Sequence, residues 1–128
     1  MSYHWSEEQT RFYFNLDRGV PYVLGANAQI PVENLLARFG LKQRHISHWI
    51  IHSGGKKVID AIKYTVGITA HDVRHTINTL EHFGNLGSGA YLFSYQHLLA
   101  EKSVRRGDYG VMMTMGPGST IETALLRW

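Results

Sequence analysis

An α/β fold with helices packed on a mixed sheet is what this sequence predicts, and three observations carry the prediction. Short β-branched or aromatic runs at residues 11–16, 46–51, 110–115 and 120–128 alternate with longer segments whose apolar residues recur at helical spacing. Glycine or Gly-Pro punctuation separates most of these segments. The last two runs are joined only by a tight turn, so they read as antiparallel neighbours. The earlier strands are separated by helices, which implies parallel pairing through right-handed crossovers.

The elements follow in order. Residues 1–10, MSYHWSEEQT, are polar and read as a lead-in. RFYFNL, residues 11–16, is aromatic-rich and reads as a strand, with Asp17-Arg18-Gly19 as its turn. From Pro21 to Phe39 the apolar positions Val23, Leu24, Ile30, Val32, Leu35, Leu36 and Phe39 predict a helix. Pro31 must kink or split it, and Gly40 is placed to cap it. ISHWII, residues 46–51, reads as a buried strand, followed by His52-Ser53-Gly54-Gly55. Val58, Ile59, Ile62 and Val66 predict a helix over 56–66, closed by Gly67. Thr69 or His71 caps a further helix over 72–83. The glycine-rich segment 84–89 turns the chain into a helix over 90–101. A polar loop at 105–109 leads to two strands around Gly116-Pro117-Gly118. The expected order is β-α-β-α-α-α-β-β.

Composition narrows the function classes. A chain of 128 residues with 44% hydrophobic residues suits one domain with one modest core and excludes wholesale disorder. The sequence contains no cysteine, so it carries no disulfide framework, cysteine-ligated metal site or cysteine nucleophile. Its net charge is +3, and no basic run exceeds the pairs Lys56-Lys57 and Arg105-Arg106, so nucleic-acid binding has little support. The N-terminus lacks a signal-like apolar core, and no stretch is long enough to span a bilayer, which favours a soluble, cytoplasmic protein away from membranes.

Several segments could carry chemistry. His52 ends a predicted buried strand, where α/β folds place ligands; Gly54 and Gly55 permit close backbone approach, and the helix start after them favours an anion. By itself, a His in a structural turn is the simpler reading. Asn85 between glycines is either a cap or an amide donor aimed into a pocket, and Gly116-Pro117-Gly118 is first of all a hairpin turn. Lys56, Lys57 and Lys63 read as a solvated face; lysines at a helix start oppose the dipole, which a bound phosphate would offset. His71 and His75 stand four apart on a predicted helix, but HDVRH lacks the glutamate of a zinc-protease motif and no third ligand has a matching spacing. Solvent-facing histidines and no metal are therefore expected.

Taken in order, WIIHSGG, FGNLGSG and MGPGSTIETALLRW resemble the C-terminal half of the chalcone synthase-like, type III polyketide synthases, and the likeness extends from RFYFNLDRGVP near Arg11 to Trp128. One position departs from the family's His-Pro-Gly-Gly pattern: Ser53 stands where it has proline. HSGGKKVIDAIKY and GVMMTMGPGSTIETALLRW look most like a branch that condenses malonyl-CoA toward 3,5-dihydroxyphenylacetyl-CoA.

The resemblance implies a thiolase fold of two similar halves. Residues 1–128 would be one C-terminal lobe, without the N-terminal lobe. It implies decarboxylative Claisen condensation with malonyl-CoA as substrate and no cofactor. Partners would be CoA thioesters and an N-terminal half bearing the nucleophilic cysteine, in a dimeric synthase. His52 and Asn85 match the catalytic His and Asn, two donors to one thioester oxygen, with His52 also holding the cysteine as thiolate. Phe14 matches a gatekeeper aromatic and Gly87 a pocket-wall position where many relatives have Ser, so that glycine would enlarge the cavity or remove a hydroxyl. Gly116, Pro117 and Gly118 would line the cyclisation pocket, and Gly54, Gly55, Lys56 and Lys57 would lie along the pantetheine tunnel. Two other readings stand beside this one: a non-catalytic partner of a synthase, and a metal-binding protein using its histidines.

Overall fold

The computed structural model describes residues 2–15 and 17–128, with the side chains of Ser2, Tyr3, Phe14 and Pro117 outside the described set. Its first element departs from expectation. Residues 1–10 are not merely a lead-in: β1 (Ser2–Ser6) pairs antiparallel with β2 (Arg11–Asn15), from Ser2 opposite Asn15 to Ser6 opposite Arg11. Cross-strand aromatic contacts hold the hairpin. The His4 and Tyr13 rings stack at 5.3 Å, and Trp5 meets Phe12 edge-on at 4.9 Å. β2 therefore pairs with β1 and stands apart from the main sheet.

The predicted long helix is split into α1 (Val20–Ala26) and α2 (Gln29–Arg38). The break falls at Asn27-Ala28, ahead of Pro31. In one continuous helix the proline ring would strike the Asn27 carbonyl four residues back. In α2, Pro31 sits in the first turn, where a missing N–H costs nothing. Asn27 Nδ2 donates to the Val23 carbonyl at 2.7 Å and closes α1. At the far end, Leu41 N–H donates to the Leu36 carbonyl at 3.0 Å around Gly40, as the sequence predicts.

The central elements match the sequence reading closely. β3 spans Ile46–Ile51 and α3 spans Lys56–Val66. α4 (Arg74–Phe83) starts two residues later than predicted, because Thr69 and Asp72 form their own capping turn. Thr69 N–H donates to Asp72 Oδ2 at 2.7 Å, and Asp72 N–H donates back to Thr69 Oγ1 at 3.2 Å. α5 (Ala90–Ala100) leads through a loop to β4 (Tyr109–Gly116) and β5 (Thr120–Arg127).

The main sheet has the order β3-β4-β5. β3 and β4 are parallel, with Ile51 opposite Met113, and β4 and β5 are antiparallel, with Gly116 opposite Thr120. The mixed sheet of the sequence reading is thus present, with β2 left out of it. Trp49, Ile51, Val111, Met113 and Met115 form one core cluster with Val32 and Leu36 of α2 and Val58, Ile59, Ile62 and Val66 of α3. By strand alternation Ile50 faces the other way, where α5 packs on β3 and β4. α1 lies on α3 at very close range. A Cβ on Gly25 would stand 2.1 Å from Ala61 Cβ, so only glycine permits this crossing.

Candidate active site

Parallel pairing decides where the three motif segments meet. β3 and β4 run in the same direction, so His52 after β3 and the Gly116 turn after β4 emerge at the same end of the sheet. That is the carboxyl end of parallel strands, where α/β sheets hold ligands. The ladder continues one step past β3, with His52 N–H donating to the Met113 carbonyl at 2.9 Å. This bond fixes the backbone of His52 before its side chain is considered.

The imidazole is almost enclosed, 7% exposed, and burial lowers its pKa below the ordinary 6.5. His52 is therefore a neutral ring at neutral pH, with one N–H to donate. Its Nδ1 is buried and makes no hydrogen bond among the described residues; the same holds for Ser53 Oγ, in a fully buried residue. Ser53, the residue in place of proline, thus adds a buried hydroxyl beside the imidazole segment. Gly54 lies against the ring edge: a Cβ there would stand 2.9 Å from His52 Cδ2 and 3.1 Å from Nε2. Any side chain at position 54 would displace the imidazole.

Asn85 follows α4 by two residues. Its Nδ2 reaches the Gly54 carbonyl at 3.5 Å, a long contact, while its Oδ1 accepts from Gly87 N–H at 3.0 Å. The second bond is an Asx turn that orients the amide, and Gly87 adopts φ of 65°, a left-handed geometry that favours glycine over serine. A Cβ on Gly87 would meet nothing within 4 Å. The structure therefore brings His52, Gly54, Gly55 and Asn85 together and places the Gly116–Gly118 turn at the same end.

Lys56 and Lys57 open α3 and are exposed. Lys56 pairs with Asp60 at 2.6 Å, and Lys63 pairs with the same carboxylate at 3.1 Å. The two lysines hold the Asp60 carboxyl below its ordinary range. The offset imagined from a phosphate at this helix start is thus already supplied by an acidic residue one turn on. Phe14 and Pro117 are predicted pocket residues whose side chains lie outside the described residues.

One histidine reading changes. His71 is exposed, but His75, also expected to face solvent, is buried, with Nε2 in a poorly aligned contact 2.7 Å from Glu101 Oε2. Burial, the largest cause, lowers its pKa. Glu101 also receives Arg74, at 2.9 and 3.0 Å, which joins α4 to the end of α5.

A groove of about 510 Å³ adjoins the Asn85 loop, lined by Ser88, Gly89, Leu92, Met112, Thr114 and Glu122 among others. Sequence reasoning missed the strand part of this lining. The signal was present in GVMMTMG: Val111, Met113 and Met115 are buried, so Met112 and Thr114 must face the other side. Thr76, which joins α4 to β3, was missed as well.

This fold and site define a class. Residues 3–128 match the C-terminal domain model of the chalcone and stilbene synthases, and the chain belongs to that family. It is 56% identical over its whole length to a 3,5-dihydroxyphenylacetyl-CoA synthase of Amycolatopsis orientalis, and 57% identical to one of Streptomyces toyocaensis. It covers 35% and 33% of those two proteins, about a third of their length. Among solved structures it resembles 1,3,6,8-tetrahydroxynaphthalene synthase of Streptomyces coelicolor A3(2), a bacterial type III polyketide synthase. That match has a TM-score of 0.85 at 28% identity and covers 98% of this chain and 36% of that one. A polyketide synthase of the brown alga Ectocarpus siliculosus shares the fold, with a TM-score of 0.79 at 17% identity, over 98% of this chain and 35% of that one. Among the described residues, no helix is long and apolar enough to cross a membrane.

Proposed function

We propose that this chain is the His/Asn-bearing portion of a type III polyketide synthase that condenses malonyl-CoA toward 3,5-dihydroxyphenylacetyl-CoA. It acts with an N-terminal portion that supplies the cysteine nucleophile, in a dimeric synthase, in the cytoplasm and without a cofactor. The observation that carries this reading is the convergence of His52 and Asn85 on one loop, through the Asn85 contact with the Gly54 carbonyl. The high identity to synthases of that name supports the product.

The chemistry needs two donors at one place. Decarboxylation of a malonyl thioester leaves an enolate, and its attack on the acyl-cysteine develops an oxyanion. An imidazole N–H and an amide N–H aimed at the same oxygen stabilise both, and loss of one such donor costs about 10²–10³ in rate. With its pKa lowered by burial, His52 keeps one N–H to donate, and an adjacent thiolate would draw that pKa upward into an ion pair. Gly54, Gly55, Lys56 and Lys57 would border the pantetheine arm, and Phe14, Gly87, Gly116, Pro117 and Gly118 would shape the acyl pocket.

The test mixes the chain with a cysteine-bearing N-terminal portion and malonyl-CoA and follows CO2 release and product. His52→Ala and Asn85→Ala should each lower turnover about 10²–10³-fold. Undiminished product from the His52→Ala assembly would refute the assignment.

A further inference from the structure

We infer that Thr76 is a positioning residue that sets the separation between His52 and Asn85. The inference rests on the reading of those two residues as the site. β3 is the edge strand of the main sheet among the described residues, so the outward N–H and C=O of its last residue, Ile51, have no strand to bond. Thr76 Oγ1 meets both. It accepts from Ile51 N–H at 3.2 Å and donates to the Ile51 carbonyl at 3.0 Å. The side chain is fully buried, so water does not compete. Ile51 immediately precedes His52, whose own N–H is held by Met113 on the other side. The backbone at the imidazole is thus gripped from α4 and from β4.

Thr76 also faces the other half of the site. It lies about two helical turns before Phe83, where α4 ends, and Asn85 follows two residues later. A helix is a stiff arm at this length. One hydroxyl therefore fastens the rod that carries Asn85 to the strand that carries His52. Among the described residues, the other polar contact between the two segments is the long 3.5 Å reach of Asn85 to Gly54. A neighbouring hydroxyl provides a built-in comparison. Thr79, also fully buried on α4, donates to the His75 carbonyl at 2.9 Å and lies 3.0 Å from Ser94 Oγ of α5.

The experiment compares Thr76→Val, Thr76→Ser and Thr79→Val in the 128-residue chain. It reads the His52 ring nitrogens, the Asn85 side-chain amide and the Ile51 backbone amide by NMR. Thr76→Val should move the first two signals and speed exchange at Ile51 at least about tenfold, and Thr76→Ser should restore all three. Thr79→Val should leave them in place while lowering stability. In the assembled synthase, Thr76→Val should lower kcat about ten- to a hundredfold, with KM within about twofold, as expected for a misplaced donor. Parental His52 and Asn85 signals in folded Thr76→Val, or equal movement in Thr79→Val, would overturn the proposal. So would failure of serine to restore the signals. Should Thr76→Val not fold, Thr76→Ala is read in its place, and rapid exchange at Ile51 in the parent chain is by itself a refutation. An inactive parent assembly would sink the proposed function and leave the NMR comparison decisive for Thr76.

Discussion

Replacing Gly54 by alanine tests the site geometry with a single methyl group. The new Cβ would lie 2.9 Å from His52 Cδ2, 3.1 Å from His52 Nε2 and 3.6 Å from Val58 Cγ1. The Val58 contact is ordinary, whereas carbon atoms prefer about 3.5–4.0 Å, so the imidazole must retreat by roughly 0.6 Å or more. It cannot move freely, because it is 7% exposed and its backbone N–H is tied to Met113. Overpacking of this kind costs about 1–3 kcal/mol. At this chain length each kcal/mol lowers Tm by about 4 °C. On the proposed role of His52, the catalytic effect should be comparable in size to the effect on stability. A donor displaced by a fraction of an ångström misses the developing oxyanion, and misplacement near 1 Å costs about a hundredfold. The assay is malonyl-CoA decarboxylation by the assembled synthase, with the His52 ring signals read in parallel in the chain alone. Parental turnover together with unmoved imidazole signals in Gly54→Ala would refute the argued contact between residues 54 and 52.

Two further expectations follow from the packing and the charge states. Gly25→Ala places a methyl 2.1 Å from Ala61 Cβ and 3.2 Å from Ala61 backbone atoms, so α1 must lift from α3; thermal unfolding should show a loss of about 3 kcal/mol or more. The depressed pKa of His52 means that the unfolded chain binds a proton which the folded chain refuses. The resulting stability is present above 6.5, the ordinary value, and is lost as pH falls from there toward the folded pKa. Denaturant titrations from pH 7.5 to 5 should show this fall, reduced in His52→Gln, and His75, shifted the same way, should account for part of what remains.

What the sequence revealed depended on how local the cause was. β3 and α3 were legible to the residue, because ISHWII is a continuous apolar run and Val58, Ile59, Ile62 and Val66 mark one helical face. The split before Pro31 was legible in kind, since the clash is with a carbonyl only four residues back. β1 was not. Its stability lies in His4 against Tyr13 and Trp5 against Phe12, pairs that a polar stretch read by itself does not announce. Likewise His75 looked solvated until Glu101 arrived from the end of α5, and Thr76 looked like an ordinary helical residue until Ile51 came to its hydroxyl. His52 and Asn85 stood out as candidates through the order of their motifs, while the contact at Gly54 that relates them needed the fold.

The parallel register of the sheet also dictates how the chain must assemble. β4 and β5 join through a three-residue turn, so their pairing is almost free of loop entropy. β3 instead pairs across the sequence, with Ile46 opposite Tyr109, 63 positions apart (109 − 46), and closing such a loop costs about 3–4 kcal/mol before contacts repay it. The strand that delivers His52 therefore carries the larger closure cost of the sheet, against a hairpin whose contacts are local. Mutations that weaken the docking of β3 would therefore act on the longest closure in the sheet and on the placement of His52 together.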